Sequence, residues 1–215
     1  VRRRVESEGL AHVALHQKRA DEVDQVPDVA PRSLDLVVLN SVAQYFPSVE
    51  YFEDVVGKAA NLLAPGGRLF LGDLRSRPLL EAFHLSVALQ QADDATSLAE
   101  LAERVATAVR TERELTFDPA WIEELAARLD RAPQVEIQLK RGRAKNELTR
   151  FRYDAVLRFD PNPEDPQEEP LRLAWGDPEA TPAALRRRLG ASGGPGGDAP
   201  RQVIVSEVPN ARLVA

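Results

Sequence analysis

Apolar and polar positions change period several times along the chain, and each change marks an element. Residues 34–40, Leu34-Asp35-Leu36-Val37-Val38-Leu39-Asn40, form a nearly continuous branched and leucine run after a Pro-Arg-Ser turn. That pattern predicts a strand buried on both faces of a parallel sheet, ending at Asn40-Ser41. Ser48 then offers an N-cap behind Pro47, and Phe52, Val55, Val56, Ala59, Leu62 and Leu63 recur at helical spacing, which predicts a helix over 48–64. Pro65-Gly66-Gly67 stops it, because proline cannot continue the ladder and glycine permits the turn. A second buried strand follows over 68–73. Strand, helix, strand is a crossover unit, and such units are parallel, right-handed and bind ligands beyond the carboxyl ends of their strands, here near Asn40, Ser41 and Asp73.

Around this unit the pattern is weaker. Residues 11–17 alternate and predict a short strand leading into a polar loop through Asp21, Glu22 and Asp24. Helices are expected at 78–92, 96–112 and 119–129, the last with Asp118-Pro119 as cap and first position. Strands at 135–139 and 151–159 are separated by a basic stretch and should pair antiparallel. From 160 to 179 proline and acid predominate and most of the segment reads as loop; a short helix at 182–189, a glycine-rich linker at 192–197 and a strand at 203–205 complete the chain. The expected organisation is therefore 1–159, an acidic proline-rich loop at 160–180, and an extension at 181–215.

Composition narrows the chemistry. The 215 residues contain no cysteine and three histidines (His12, His16, His84), which excludes disulfide scaffolds, thiolate metal sites and cysteine nucleophiles and fits a reducing, cytoplasmic setting. The net charge of −6 lacks the global basic field that nonspecific nucleic-acid binding exploits, and no apolar run approaches the ~18 residues of a membrane span. Methionine is absent even from position 1, so the record is expected to begin inside a longer reading frame. Between 140 and 153, six basic side chains stand against Glu147 alone. Such a patch suits an acidic partner, a binding-module reading would assign it to nucleic acid, and the plain alternative is a solvated, salt-bridged face.

The element order is that of the second half of a doubly wound sheet. The pair formed by residues 34–40 and Leu62-Leu63-Ala64-Pro65-Gly66-Gly67-Arg68-Leu69 resembles the fourth and fifth strands of class I S-adenosylmethionine-dependent methyltransferases. Three further stretches narrow the resemblance: Asn40-Ser41-Val42-Ala43-Gln44-Tyr45-Phe46-Pro47-Ser48, residues 140–154, and Val208-Pro209-Asn210-Ala211-Arg212-Leu213. Together they are similar to the N-methyltransferase domains embedded in nonribosomal peptide synthetases. The fold this implies is α/β, a partial Rossmann-like class I methyltransferase sheet lacking its first two strands, with helical lid insertions and a C-terminal antiparallel strand pair.

The resemblance also implies a reaction: transfer of a methyl group from S-adenosylmethionine to the α-amine of an aminoacyl thioester on a phosphopantetheine arm. The implied partners are adenylation and peptidyl-carrier domains of the same synthetase. Glu147 is the candidate to orient that amine or accept its proton, or else it pairs on the surface with Arg143 or Arg150. Asn146 could bond the acyl carbonyl or simply shape a turn. Tyr153 could reach substrate through its hydroxyl or pack half-buried. His84 is a possible second base early in a lid helix. Asp21 matches the contact to the adenine amino group, and Asn40 with Ser41 the edge of the donor, while Asp73 and Arg75 shape the substrate mouth or pair locally. The family's first strand and glycine-rich loop are expected upstream of Val1, and no acidic residue matches the ribose contact. The chain as written is therefore expected to bind donor poorly, and a noncatalytic structural or carrier-docking remnant is the alternative.

Overall fold

The computed structural model describes residues 1–142, 144–160, 171–190 and 203–208. The chain forms two compact units, 1–161 and 162–215. The first opens with α1 (Arg2–Ser7) and a 3₁₀ turn over Ala20–Gln25, then builds the crossover from β1 (Leu34–Asn40), α2 (Val49–Leu62) and β2 (Leu63–Arg75). Three helices follow, α3 (Leu80–Gln91), α4 (Leu98–Arg110) and α5 (Pro119–Arg128), then β3 (Gln134–Leu139), the single-turn α6 (Glu147–Arg150) and β4 (Arg152–Arg158). The second unit contains β5 (Leu171–Ala174), α7 (Pro182–Gly190) and β6 (Val203–Ser206), with β5 and β6 paired in parallel.

The sheet of the first unit has the order β1-β2-β4-β3. β1 and β2 are parallel, as a crossover through α2 requires, and β4 lies antiparallel between β2 and β3. Ser48 caps α2 by accepting the Tyr51 N–H at 3.3 Å, and the apolar stripe of the helix, including Phe52, Val56 and Ala59, packs on Leu69, Leu71, Ala155 and Leu157. Within the first residues of β2, which begins at Leu63 rather than after Gly67, Gly66 takes φ +78°, and a Cβ on Gly67 would stand 2.8 Å from the Ala64 carbonyl and 3.0 Å from that of Leu34. The Pro-Gly-Gly sequence is thus required by one left-handed position and one close backbone approach.

Three expectations change. Residues 11–17 are not a strand; Val13 and Leu15 are their only large apolar side chains, and an extended segment without a ladder partner has little to hold it. β1 is not buried on both faces. Leu34, Val37 and Leu39 pack on the core, but Leu36 and Val38 are 55% and 53% exposed, because no described element covers that face. Within 160–179, residues 171–174 form a strand, since β6 provides the partner that local composition could not reveal. The predicted linker at 192–197 and most of the stretch at 208–213 lie outside the described residues.

A second, smaller core joins α3 to α4 through Ala88, Leu101 and Val105. Among the described residues no helix is long and apolar enough to cross a membrane.

Candidate functional site

The carboxyl ends of the two parallel strands meet at residues 40–41 and 72–75, and the backbone there is irregular for a visible reason. Between the pairs Leu71↔Ala155 and Leu74↔Tyr153, β2 has two residues, Gly72 and Asp73, opposite the single Asp154 of β4. This bulge turns Asp73 to φ +65°, and its N–H is satisfied by the Asp154 carboxylate at 2.8 Å instead of by the ladder. Ser41, at the end of β1, is also left-handed, at φ +57°. Neighbouring non-glycine residues in this sparsely populated region mark a place where the surrounding contacts dictate the backbone.

Those contacts are electrostatic. The Asp73 carboxylate is buried and accepts from Ser41 Oγ at 2.8 Å and Arg152 Nη1 at 2.9 Å, with Lys140 Nζ 3.4 Å away. Lys140 also donates to Asp154 at 2.8 Å. The second arm of Arg152 reaches Glu147 Oε1 at 2.5 Å. Burial disfavours the charged guanidinium, but Glu147 and Asp73 outweigh that and raise its pKa.

Directly across the sheet from Arg152 stands Arg75. Two cations facing each other on adjacent strands repel, so each needs its own acids. Arg75 donates to Glu114 at 3.0 Å and to Glu112 at 2.9 Å, with its guanidinium carbon 5.2 Å from the Phe83 ring centre. Burial alone would raise the Glu112 pKa, but the Arg75 bond and the N–H groups of Glu114 and Arg113 bring it down to about 2. His84 Nε2 lies 3.2 Å from the same Glu112 oxygen.

The structure thus gathers six of the nine residues singled out from sequence, Asn40, Ser41, Asp73, Arg75, Glu147 and His84, together with Arg152. Asn40 Nδ2 is 3.5 Å from Ser41 Oγ, and a Cβ on Gly72 would collide with its amide. Glu147 is tethered by Arg152 rather than by Arg150, with its side chain 42% exposed at the mouth. The other three have different surroundings. Asn146 caps α6, accepting the Thr149 N–H at 3.2 Å. Tyr153 is buried and donates to the Phe117 carbonyl at 3.2 Å, and burial raises its pKa. Asp21 receives the Tyr51 hydroxyl at 2.8 Å and an Arg19 guanidinium at 2.7 Å; burial opposes its ionisation, but these two partners lower its pKa.

Arg152, Asp154, Lys140, Glu112 and Gln44 were not individually legible. For Arg152 and Asp154 there was a signal, since charged residues two apart share one face of an otherwise apolar strand. Gln44 donates to the Ser41 carbonyl at 3.3 Å, and its buried Oε1 has no partner among the described residues.

The Asp21 carboxylate is occupied by Tyr51 and Arg19. Among the described residues no cluster of three acids or histidines suits a metal ion.

No protein-family model matches the chain. It is 38% identical over 211 residues to chondramide synthase cmdD of Chondromyces crocatus, covering 95% of this chain and 5% of that protein. It is 46% identical over 147 residues to the probable non-canonical nonribosomal peptide synthetase CymA of Salinispora arenicola, covering 68% of this chain and 2% of that protein. The chain therefore spans only a small fraction of these relatives' length. A solved O-methyltransferase family protein from Burkholderia thailandensis is 18% identical with a TM-score of 0.43, over 74% of this chain and 39% of that one. A likeness that faint carries no argument.

Proposed function

We propose that this chain, a relative of nonribosomal peptide synthetases, is the acceptor-side portion of an embedded N-methyltransferase domain. In this reading the synthetase moves a methyl group from S-adenosylmethionine to the α-amine of an aminoacyl thioester presented by a carrier domain. The observation that supports it is the tethering of Glu147: a half-exposed carboxylate held by a buried arginine at the carboxyl end of a parallel strand pair.

The chemistry asks little more of these residues. A displacement at a sulfonium methyl needs a neutral amine aligned with the methyl carbon, and alignment can lower a barrier by several kcal/mol. A model α-amine has a pKa of about 7.7 to 8.0, so a carboxylate need only orient it and accept one proton. Glu147 does this in our reading, and Arg152 fixes its direction. Asp21, Asn40 and Ser41 are assigned to the donor side, Asp21 towards the adenine amino group.

The test is methyl transfer by the synthetase containing this chain, with isotopically labelled S-adenosylmethionine and an aminoacyl-pantetheine thioester. Mass spectrometry should place the label on nitrogen, and Glu147→Gln should lower kcat at least tenfold. Label on oxygen or carbon, or no transfer, would reject the reading. One competitor is a noncatalytic remnant; absence of both transfer and calorimetric donor binding would establish it.

A further inference from the structure

Glu147 stands on the single turn of α6 with its side chain half-exposed. One turn of helix is too short to hold a side chain in one direction by itself, so the support for this carboxylate comes from outside α6. That support is Arg152, whose terminal nitrogens are divided between two acids: Nη2 donates to Glu147 Oε1 and Nη1 to Asp73 Oδ2. A guanidinium is a planar, rigid fork, so fixing one nitrogen fixes the direction in which the other points. The aim of Glu147 therefore depends on how firmly Asp73 is held.

Three strands converge on Asp73, and each of its oxygens has its own partners. Oδ2 accepts from Ser41 Oγ at 2.8 Å and from Arg152 at 2.9 Å, while Oδ1 faces Lys140 Nζ at 3.4 Å. Ser41 follows β1, Arg152 opens β4 and Lys140 follows β3. Lys140 also donates to Asp154, whose carboxylate accepts the Asp73 N–H, so backbone and side chain of Asp73 are fastened to the same cluster. Arg75 opposite is held by Glu112 and Glu114, which leaves Asp73 to Arg152 and Lys140. The backbone at Asp73 is left-handed, at φ +65°, a conformation glycine adopts more easily. A buried acid kept in that position offers what glycine could not, a fixed carboxylate. We infer that Asp73 is a positioning residue: acting through Arg152, it sets the direction in which Glu147 meets the acceptor amine. This rests on the proposed amine methylation and deepens it, since the group that accepts the proton is then aimed by a buried acid one residue removed from it. Ser41, assigned to the donor side, bonds the same oxygen as Arg152, so the anchor stands between the two sides of the site.

The experiment is a double-mutant cycle in the full synthetase, with S-adenosylmethionine and an aminoacyl-pantetheine thioester as substrates. Asp73→Asn keeps the size and an accepting oxygen for Ser41 but removes the charge that holds Arg152. It should lower kcat about tenfold and leave the thioester KM within about twofold, as misalignment of a reacting group does. In a Glu147→Gln background the same substitution should change kcat by less than about twofold, because no carboxylate is left to aim and residues that act as a unit are non-additive. A merely structural role would cost the same factor in both backgrounds. If Asp73→Asn does not fold, Arg152→Lys carries the same cycle: it keeps a cation beside Asp73, but a single nitrogen cannot span two acids, and its loss should likewise vanish in Glu147→Gln. A loss confined to the enzyme that retains Glu147 supports the assignment. An equal loss in both backgrounds, or none in either, overturns it, while the amine-methylation reading stands if wild type labels nitrogen and Glu147→Gln alone lowers kcat. If wild type labels no nitrogen, or Glu147→Gln is without effect, both fall.

Discussion

Arg131 and Arg152 are both largely buried, both touch a carboxylate and both lie beside a phenylalanine, yet they serve different ends. Arg131 follows α5 and spends every donor nitrogen. Nε and Nη2 reach Asp160 at 2.9 and 2.5 Å, Nη1 reaches the carbonyls of Ala60 and Leu63 at 3.0 and 2.6 Å, and Nη2 also reaches that of Ala64 at 3.2 Å. Its guanidinium carbon lies 5.0 Å from the Phe159 ring centre. The carbonyls lie where α2 passes into β2, so Arg131 is a peg that fastens that junction. Arg152 instead divides its terminal nitrogens between Asp73 and Glu147, and its buried Nε has no partner among the described residues. One guanidinium fastens the end of a helix, and the other joins two acids from distant parts of the chain.

The largest expected effect lies on the structural side. Arg131→Met removes the donor shared by the Leu63 and Ala64 carbonyls and leaves Asp160 with Arg32 alone, and should cost about 3 kcal/mol, read from the urea midpoint with an unchanged m-value. Methyl transfer per folded molecule should be unaffected, which would separate the two arginines cleanly.

Next is Glu112→Gln, which removes one of the acids serving Arg75. Because the folded-state pKa of Glu112 is lowered to about 2, its stabilisation is fully present above the unfolded value of about 4.5 and is lost as pH falls towards 2. The variant should be less stable by about 2 kcal/mol at pH 7, and the two unfolding curves should converge on acidification through that window. A constant gap across it would show that Glu112 does not act through its charge.

Ser41→Ala should cost about 1 kcal/mol through the lost hydrogen bond to Asp73, with a larger effect on methyl transfer than on melting. Asn146→Ala should cost a similar ~1 kcal/mol as a lost cap, but should impair transfer only to the extent that α6 no longer presents Glu147. The smallest effect belongs to the exposed pair between Arg128 and Glu53, where Glu53→Gln should stay within about 0.5 kcal/mol by chemical denaturation.

Where local sequence dictates structure, it was readable. Ser48 with Pro47, the Pro65-Gly66-Gly67 stop, and Asp118-Pro119 before α5 act within one turn, and the elements they bound stand within two residues of the expected ends, apart from the start of β2. The antiparallel pairing of β3 with β4 was likewise legible from alternation. Residues 11–17 and 171–174 were not, because whether a short alternating segment becomes a strand depends on a partner far away in sequence.

By itself, then, the sequence determined the crossover, the three helices that follow, and the residues gathered at the strand ends, since caps, turns and periodicity are short-range. Only the tertiary structure decided what those residues do. The bulge at Gly72-Asp73 depends on β4, the pairing of Glu147 with Arg152 depends on α6 docking over that strand, and Arg75 faces Arg152 through a register that neither segment contains alone. Charges distant along the chain are neutralised or left open only when folding sets their distances, because electrostatic and hydrogen-bond energies depend on geometry rather than on sequence separation.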